Sequence, residues 1–413
     1  MNGLGLRSKR LRGIIGLARV FPIAWHCDQL QRFFSSFPGR SPGARRKGKP
    51  LQKGFPPEFL ASSKGLQMTE IYGLDELNRR VLENGSCAAC GACLGGCPYL
   101  TAFKGKTLIL DNCTVEQGRC FAYCPMTFFD PESASQFVFG ESHDHAALGH
   151  VNSVIASRAA DPGIAAAGQG GGTVTALMAM ALEEGMIDSA VLTDQRPGED
   201  YPRGVVASTV PEIVACVGSR YTGSHSLAAL REAVDRGFER IGVVGLPCQV
   251  RSVRKMALYD LKNENLKERI RLVVGLFCNW AFASRDFASF LRNRFGLTSI
   301  KRFHIPPPPA NTLEIESAAG VENISLDDLR PLIQAACGNC EDMTSEFADV
   351  SVGMYEGRDG WNTLITRTEL GRDLVERAVA EGRLETDIFP DANLDHLKVA
   401  SMNKKKRVTD KSH

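Results

Sequence analysis

The sequence predicts an α/β protein with a cysteine-rich module first, then an α/β domain with a largely parallel sheet, and then a mixed C-terminal part. Seven of the 13 cysteines fall between 87 and 124, in a glycine-containing stretch that leaves no room for a long element. After 151, nearly continuous apolar runs alternate with helical patterns, which is typical of a parallel sheet covered by helices. Beyond 298, a proline run and the turn 337–340 interrupt that alternation.

Residues 1–67 differ from the rest in charge. They contain 13 Lys and Arg against only Asp28 and Glu58, so the remaining chain is mildly acidic, which argues against a nucleic-acid-binding surface. The segment is rich in Pro and Gly and lacks a periodic pattern, so we expect a disordered basic arm. A true start of translation at Met68 and an organelle transit peptide are the two explanations left open. We expect no transmembrane segment.

The first cysteine group follows a predicted amphipathic helix over 69–85. Its spacing is Cys-x2-Cys-x2-Cys-x3-Cys-Pro, which is the bacterial ferredoxin spacing for a [4Fe–4S] cluster. A zinc knuckle is the weaker alternative, because zinc ligands usually come in two separated pairs. In two-cluster ferredoxins the fourth cysteine of each run ligates the other cluster. The sequence therefore predicts a ferredoxin-like two-cluster module whose first cluster is held by Cys87, Cys90, Cys93 and Cys124.

The second half of this motif is incomplete. Thr114 and Gln117 stand where two cysteines are expected before the final pair. The second site therefore has three thiols and lacks an obvious fourth ligand, which leaves a cluster with a non-cysteine ligand, a three-iron cluster or an empty site as alternatives. The three thiols belong to Cys97, Cys113 and Cys120.

Residues 151–382 are predicted to form alternating strands and helices. We expect strands over 151–159, 188–194, 240–248, 271–278 and 348–353, and helices over 166–187, 226–238, 249–261, 285–296 and 367–382. The segment 141–153 is predicted to be a linker. The basic stretch 404–411 is predicted to be a solvated end.

Two nearly identical runs end in cysteine. They are "VVGLPC" at 243–248 and "VVGLFC" at 273–278, with ample chain between them for a crossover helix. If both are parallel neighbours, Cys248 and Cys278 leave the sheet at the edge where open α/β sheets place ligands. The "CGNC" turn then adds Cys337 and Cys340 and completes four thiolates for zinc or for a [4Fe–4S] cluster. Two buried core cysteines and an unrelated turn are the alternative.

A glycine loop opens the first helix of the body. Its backbone N–H groups and two hydroxyls suit a phosphate at the helix N-terminus, although a flexible turn explains the same residues. The loop is neither a Walker A loop nor a G-x-G-x-x-G fingerprint. The candidate cofactor-binding residues are Gln169, Gly170, Gly171, Gly172, Thr173 and Thr175.

Taken together, these stretches resemble the beta subunits of coenzyme F420-reducing hydrogenases and dehydrogenases. The resemblance is carried by the glycine loop, "GSRYT" (218–222), both cysteine runs, "CGNCEDMTSEFADVSVG" and "GRDGWNTLITRTELGRDLVERAVAEG". It implies an iron–sulfur flavoprotein with a [4Fe–4S] cluster on Cys248, Cys278, Cys337 and Cys340. It also implies an FAD site lined by the glycine loop and by Tyr221, Asp359, Gly360 and Trp361. Arg251, Arg254 and Lys255 are expected either to help hold an anionic cofactor or to be solvated.

The N-terminal cysteine module departs from the simple beta subunits. It makes the chain similar to the electron-input subunits of deazaflavin-dependent quinone and sulfite reductases, and to related reductases of chlorophyll derivatives. The resemblance thus implies an oxidoreductase that passes electrons between coenzyme F420 and a partner through FAD and two or three [4Fe–4S] clusters. A ferredoxin-dependent reductase of an organic substrate and a non-catalytic electron relay are the alternatives. No catalytic acid or base is assigned.

The remaining expectations concern organisation. The predicted segments are the arm 1–67, a ferredoxin-like domain over 68–140, an FAD-binding α/β domain over 151–298, and a C-terminal domain over 299–400 that completes a [4Fe–4S] site. Clustered cysteines indicate a reducing compartment, so we expect a cytoplasmic protein, or one peripheral to a membrane complex. We expect an oligomer or a larger complex with a redox partner protein, a small-molecule electron carrier and no nucleic acid.

Overall fold

A computed structural model of the chain describes residues 71–195, 199–295, 300–306 and 309–409. The predicted arm 1–67 lies outside these residues. Among the helices of the described part, none combines the length and the apolar character that a membrane crossing requires.

Thirteen strands form three sheets in the described part of the chain. A hairpin, β1–β2, stands alone; β8, β9 and β10 form a small antiparallel sheet; and the other eight strands form one large sheet in the order β13-β3-β12-β11-β7-β6-β4-β5. The strands are β1 (Leu100–Phe103), β2 (Lys106–Ile109), β3 (Ser153–Ala159), β4 (Ser189–Asp194), β5 (Arg203–Ala207), β6 (Ile241–Gly245), β7 (Ile270–Leu276), β8 (Ile300–His304), β9 (Thr312–Ser317), β10 (Gly320–Ser325), β11 (Val350–Met354), β12 (Asn362–Thr366) and β13 (Leu384–Ile388).

Helices and helical turns connect these strands. The first helix continues as one π-helical turn over Asn78–Leu82, and short 3₁₀ turns occupy Arg330–Leu332 and Ala335–Asn339. The α-helices are α1 (Leu74–Leu77), α2 (Arg119–Ala122), α3 (Pro131–Phe139), α4 (Pro162–Ala167), α5 (Thr173–Glu183), α6 (Val210–Ala215), α7 (Ala228–Asp235), α8 (Pro247–Tyr259), α9 (Leu266–Arg269), α10 (Ser284–Phe295), α11 (Leu326–Leu329), α12 (Glu369–Ala380) and α13 (Asp391–Thr409).

The large sheet is mixed, so the prediction of a largely parallel sheet is wrong. Only the central pairs β4–β6, β6–β7 and β7–β11 are parallel, whereas β5, β12 and β13 run the other way at its two sides. The error arose because β5 and β12 return by short connections, which allow antiparallel pairing without a crossover helix. Five strands, β3, β4, β6, β7 and β11, still point in one direction, so their carboxyl ends share one edge.

Both faces of the large sheet are buried. Along β7, Leu272 and Val274 face one apolar cluster with α5 and α12, while Val273 faces the other with α7 and α8, as the two-residue period of a strand requires. Residues from the cysteine-rich segment, including Cys90 and Tyr123, belong to that second cluster. The cysteine-rich segment therefore shares its core with the sheet, and the described residues fall within one compact unit beginning at Gly65. The predicted domain boundaries stay predictions.

The small sheet has a core of its own. Phe303, Leu313 and Ile315 pack with Phe282 and Phe287, which lie before and within α10. The sheet is inserted between β7 and β11, which remain neighbours in the large sheet. The predicted mixed C-terminal part therefore contributes both this insertion and three strands of the large sheet.

The C-terminal end is not simply solvated, contrary to the prediction for 404–411. Lys404 lies on α13 with its side chain buried, although Lys406 on the same helix is exposed. The Lys404 amino group donates to the carbonyl oxygens of Cys278 at 2.6 Å and Asp342 at 2.7 Å. The sequence misled because a lysine run indicates exposure, whereas here carbonyl acceptors satisfy one buried ammonium. Residues 410 and 411 lie outside the described part.

A buried arginine fastens the segment before β3 to the sheet. The Arg367 guanidinium donates to the backbone oxygens of Leu148 and His150, both at 2.7 Å, and to the hydroxyls of Ser351 at 2.7 Å and Thr344 at 2.9 Å. Burial lowers the pKa of Arg367 to about 10, and the nearby carboxylates oppose that shift. The predicted linker 141–153 is therefore held against the core.

We expect Arg367→Met to lower the free energy of unfolding by about 3–5 kcal/mol, because several buried oxygens lose their donor together. Arg372→Met is the matched control: Arg372 lies on the exposed side of α12, where an ion pair contributes at most about 1 kcal/mol. Urea denaturation followed by circular dichroism measures both variants. Equal midpoints for the two would contradict a structural role for Arg367.

Candidate functional site

The carboxyl-end edge of the large sheet gathers most of the predicted site. The glycine loop follows β3, Cys248 follows β6, Cys278 follows β7, and the turn containing Trp361 follows β11. Because these four strands point in the same direction, their following segments meet along one edge. This is where open α/β sheets bind ligands.

The duplicated run is a pair of neighbouring parallel strands, as predicted. Val243 lies opposite Val273, Val244 opposite Val274, and Gly245 opposite Gly275. Each of the two paired glycines is thus followed by a cysteine three residues later. A β-carbon at Gly275 would collide with the side chain of Ser345, so the glycine lets the segment after "CGNC" approach the strand end. The Ser345 hydroxyl donates to the oxygen of Leu276 at 2.8 Å and closes this contact.

We call Cys248, Cys278, Cys337 and Cys340 the sheet-edge cysteines. Burial raises the pKa of the Cys248 thiol well above its usual value, and the nearby thiols of Cys340, Cys278 and Cys337 raise it further. Burial also raises the pKa of Cys278 to about 12, although the Lys404 ammonium opposes the shift. The four thiols therefore lie within electrostatic reach of one another in one partly buried place.

Backbone groups surround these thiols. The N–H of Ala281 donates to the sulfur of Cys337 at 3.3 Å, and the Cys340 thiol lies 3.5 Å from the oxygen of Asp342. The N–H of Cys278 is bound to the oxygen of Met343 at 2.9 Å. Within the described residues, no three His, Cys, Asp or Glu side chains are grouped to share a single metal ion.

The first N-terminal set consists of Cys87, Cys90, Cys93 and Cys124. Burial raises the pKa of Cys93 well above its usual value, and the thiols of Cys90, Cys87 and Cys124 add to it. Burial raises the pKa of Cys124 to about 12, with Cys90 as the next cause. Cys124, which is distant in sequence, thus lies near Cys87, Cys90 and Cys93, as the ligand pattern of two-cluster ferredoxins predicts.

Lys255 is packed beside this set. Its ammonium donates to the backbone oxygens of Cys124 at 2.6 Å and Phe128 at 2.8 Å, and to the hydroxyl of Thr127 at 2.7 Å. Burial lowers the pKa of Lys255 to about 8, while Cys124 opposes that shift. Lys255 is therefore not solvated, so that expectation is wrong, while its part in holding an anionic cofactor stays a prediction.

Arg251 and Arg254, the other two basic residues of this helix, also contact protein groups. Arg254 is buried, donates to the oxygen of Phe347 at 2.7 Å and lies 3.2 Å from the Asp349 carboxylate. Arg251 lies over the ring of Phe129 and pairs with Glu341.

Two side chains join the sheet-edge cysteines to the first N-terminal set. The Ser252 hydroxyl lies 3.6 Å from the sulfur of Cys90, and the Gln334 amide donates to the oxygen of Cys87 at 2.5 Å. The backbone oxygen of Gln334 accepts from the N–H of Cys337 at 2.9 Å. The Cys90 thiol is also among the groups that raise the pKa of Cys248, so the two sets adjoin.

Sequence reasoning missed Ser252 and Gln334, and it missed the buried contacts of Lys255 and Lys404. A signal existed for Ser252 and Lys255, because they follow Cys248 at four and seven residues and so share its face of α8. Gln334 and Lys404 carry no comparable pattern.

The second N-terminal set consists of Cys97, Cys113 and Cys120. Burial raises the pKa of Cys120 to about 11, and the thiols of Cys97 and Cys113 raise it further. All three line one cavity at the surface of the cysteine-rich segment.

The glycine loop packs against the turn after β11. A β-carbon at Gly171 would collide with the carbonyl oxygen of Gly360, and one at Gly170 with the side chain of Asn362. The N–H of Ala159 donates to the oxygen of Gly171 at 2.7 Å and fixes the loop to the end of β3. The structure thus brings Gly170 and Gly171 together with Gly360 and Trp361.

The rim of this loop contains unsatisfied donors. The Gln169 side-chain oxygen accepts from the N–H of Ser219 at 3.1 Å, which draws the "GSRYT" segment to the loop. The Gln169 amide nitrogen and Nε of Arg220 are buried without a partner. Trp361 is buried beneath Arg358, whose guanidinium carbon lies 3.7 Å from the ring centre.

The other predicted cofactor residues are more scattered. Thr173 is fully buried and its hydroxyl contacts that of Ser157 at 3.0 Å, whereas Thr175 is half-buried on α5 and Asp359 is exposed. The ring of Tyr221 packs with the aromatic core of the small sheet. Burial raises the pKa of Tyr221, and a hydrogen bond with the backbone of Ile305 opposes the shift.

Comparison with known proteins identifies the family. Residues 154–231 match the model "Coenzyme F420 hydrogenase/dehydrogenase, beta subunit N-term", and residues 238–391 match the model of the C terminus of the same beta subunit. The beta subunit of coenzyme F420 hydrogenase from Methanothermobacter thermautotrophicus is 33% identical over 58% of this chain and 85% of its own length. The chain belongs to this family. The match leaves the cysteine-rich segment before 154 outside both family models.

Further relatives extend the comparison. A subunit of the F420H2 dehydrogenase from Methanosarcina mazei is 27% identical over 76% of this chain and 88% of its own length. The coenzyme F420-dependent sulfite reductase from Methanocaldococcus jannaschii is 29% identical over 71% of this chain but only 46% of its own length. A chain of the F420-reducing [NiFe] hydrogenase complex from Methanosarcina barkeri superposes with a TM-score of 0.60 at 30% identity, covering 66% of this chain and 94% of that chain.

We expect Gly171→Ala to lower the free energy of unfolding by about 3 kcal/mol, because the added methyl group meets Gly360 and the backbone φ is +99°. Gly185→Ala is the matched control: its φ is +69°, but nothing lies within 4 Å of the new carbon. It should cost only about 1 kcal/mol, the penalty of the left-handed backbone alone. Urea denaturation measures the free energy of unfolding of both variants. Equal decreases in the two would disprove the contact between the glycine loop and the turn after β11.

Proposed function

We propose that this chain carries electrons between coenzyme F420 and a redox partner, as the flavin- and cluster-bearing subunit of an oxidoreductase. One observation carries the proposal: the glycine loop, the turn with Trp361 and the sheet-edge cysteines lie along one sheet edge in a member of the F420 hydrogenase/dehydrogenase family. The relatives are named for F420-linked hydrogenase, dehydrogenase and sulfite reductase activities.

The loop region fits FAD. Backbone N–H groups at the N-terminus of α5 suit a pyrophosphate. The β-carbon positions of Gly170, Gly171 and Gly172 are filled by Asn362, Gly360 and Ile164, so these glycines allow the loop to pack closely against its neighbours. The unpartnered amide of Gln169 and the unpartnered Nε of Arg220 supply two more donors at this rim. When bound, FAD links two-electron hydride chemistry to single-electron transfer. The protein's part is to hold the ring system beside the sheet edge, and no protein nucleophile is required.

The sheet-edge cysteines fit a [4Fe–4S] cluster better than a single ion. Thiols with raised pKa values, such as those of Cys248 and Cys278, stay protonated unless a positively charged metal centre stabilises their thiolates. Thiolates around a cubane bind four different irons and stand further apart than ligands of one ion. The lack of any grouping for a single ion among the described side chains agrees with that spacing.

The first N-terminal set suits a ferredoxin-type cluster by the same argument. Helix α8 would hold the two clusters at a fixed distance, because its first turn contains Cys248. Its Ser252 contacts Cys90, and its Lys255 binds the carbonyl oxygen of Cys124. Such adjacency suits a subunit that moves single electrons over a short path. We propose that the module at 71–140 connects the sheet edge to the redox partner.

The alternative functions are not favoured. The named relatives are linked to coenzyme F420, and none of those compared above is named as a ferredoxin-dependent reductase of an organic molecule. A relay without a flavin would need a glycine loop that has lost its binding groups. Gln169 of that loop still accepts a hydrogen bond from the "GSRYT" segment, and its side-chain amide nitrogen has no partner. Because a structural relative is part of a hydrogenase complex, we propose that this chain also works within a larger assembly.

We expect reduced coenzyme F420 to bleach the flavin absorption of the protein purified anaerobically with its cofactors. Steady-state or stopped-flow absorption spectroscopy measures the bleaching. NAD(P)H and reduced ferredoxin, each supplied alone, are the comparison donors. Faster bleaching by either of them would overturn the assignment of F420 as the carrier. Absence of a flavin spectrum in iron-loaded protein would instead favour the relay.

We expect Cys248→Ser to remove one cluster while the signals of the N-terminal module persist, because the sheet-edge cysteines share no ligand with that module. Cys216→Ser is the matched control, since Cys216 is half-buried near the glycine loop but belongs to none of the three sets. Iron analysis and electron paramagnetic resonance of the dithionite-reduced protein measure the loss. Disappearance of all cluster signals together would disprove the division of ligands.

A further inference from the structure

A cavity of about 260 Å³ opens beside the second N-terminal set. This volume far exceeds the roughly 30 Å³ that one water molecule takes in the liquid. Cys97, Cys113 and Cys120 line this cavity. Apolar residues of α7 and α8 close its inner side. Cys93 also lines it, but that thiol lies with the first N-terminal set.

Only three thiols are available at this place. The other two sets contain four cysteines each, and Cys216, the remaining cysteine of the described residues, lies near Asp194 and Arg220 instead. Gln117 stands three residues before Cys120, where the ferredoxin spacing has a cysteine, and it lines the cavity. Thr114, at the other substituted position, does not line it.

We infer that the second N-terminal set holds a cluster by three thiolates, with its fourth iron open to this cavity and to a small anionic ligand. This inference rests on the proposed function, because it assumes an iron–sulfur protein. It differs from an ordinary electron-transfer site, in which four thiolates close the coordination of all four irons. An open iron can exchange ligands and can be lost and regained.

The charges around the cavity favour an anion. Arg119, Arg231 and Lys262 line it against the Glu264 carboxylate, and Arg231 also pairs with Asp235 outside the lining, so three cations face two carboxylates. The Arg231 Nε is buried without a partner and lies beside Gly96, one residue before Cys97. Glu264 already bonds Arg231 and lies 3.6 Å from Arg119, so it is engaged rather than free to serve as the fourth ligand. Cyanide is therefore a suitable small probe.

The test follows the loss of one iron. Ferricyanide takes one electron from [4Fe–4S]²⁺, and the site then releases Fe²⁺ and leaves [3Fe–4S]⁺, which electron paramagnetic resonance detects. Dithionite and added Fe²⁺ reverse the change. In the wild-type holoprotein we expect one three-iron signal per chain, restored to four irons by this treatment, and a spectral change with cyanide. The two four-cysteine sets serve as internal controls, because they should keep their iron.

Gln117→Cys should supply the missing thiolate. We expect it to reduce the three-iron signal at least tenfold and to abolish the response to cyanide. Thr114→Cys adds a thiol next to the same loop but outside the cavity, and should behave as wild type. Gln117 is exposed, so neither variant should disturb folding.

Three results would overturn the inference. The first is that the wild-type protein keeps all its iron under ferricyanide. The second is that Gln117→Cys and Thr114→Cys give the same three-iron signal and the same response to cyanide, and the third is that Cys113→Ser has an unchanged iron content. The last would mean that this site holds no cluster. None of them affects bleaching of FAD by reduced F420, so failure here is distinguishable from failure of the proposed function.

Discussion

The in-register pairing of β6 with β7 is the constraint on which the site depends. Because Val243 lies opposite Val273 and Gly245 opposite Gly275, the two strands run in register to the paired glycines, and each glycine is followed by a cysteine after three residues. A slip of one residue would turn one valine pair to the wrong face of the sheet and carry its cysteine out of line. Burial of those valines in the two apolar clusters therefore also fixes the thiols.

Helix α8 transmits this constraint to the N-terminal module. It leaves β6 beside Cys248, and the residues four and seven positions later, Ser252 and Lys255, face the same direction. Ser252 meets Cys90 and Lys255 binds the chain at Cys124, so one helix face carries contacts to both cysteine sets. The module is thus seated by the sheet's own geometry.

Local spacing made much of this predictable. The adjacency of the duplicated runs, α8 and α12 followed from apolar periodicity and crossover length, because such signals lie within one stretch of sequence. The antiparallel direction of β13 and the burial of Lys404 did not follow, since the pairing partner β3 and the buried acceptors come from distant segments. The same holds for Tyr221: its motif was informative, but the aromatic insertion between β7 and β11 determines where its ring packs.

Buried charge explains two lysines whose contacts the sequence did not reveal. Lys255 binds the carbonyl oxygen of Cys124 and Lys404 binds that of Cys278, so each four-cysteine set has one ammonium held against the backbone of one of its cysteines. An unpaired ammonium in such a place would be costly, and so would four unpaired thiolates. The second N-terminal set has arginines at a partly open cavity instead. The two four-cysteine sets thus lie beside buried lysines, whereas the second N-terminal set lies beside arginines that line a cavity.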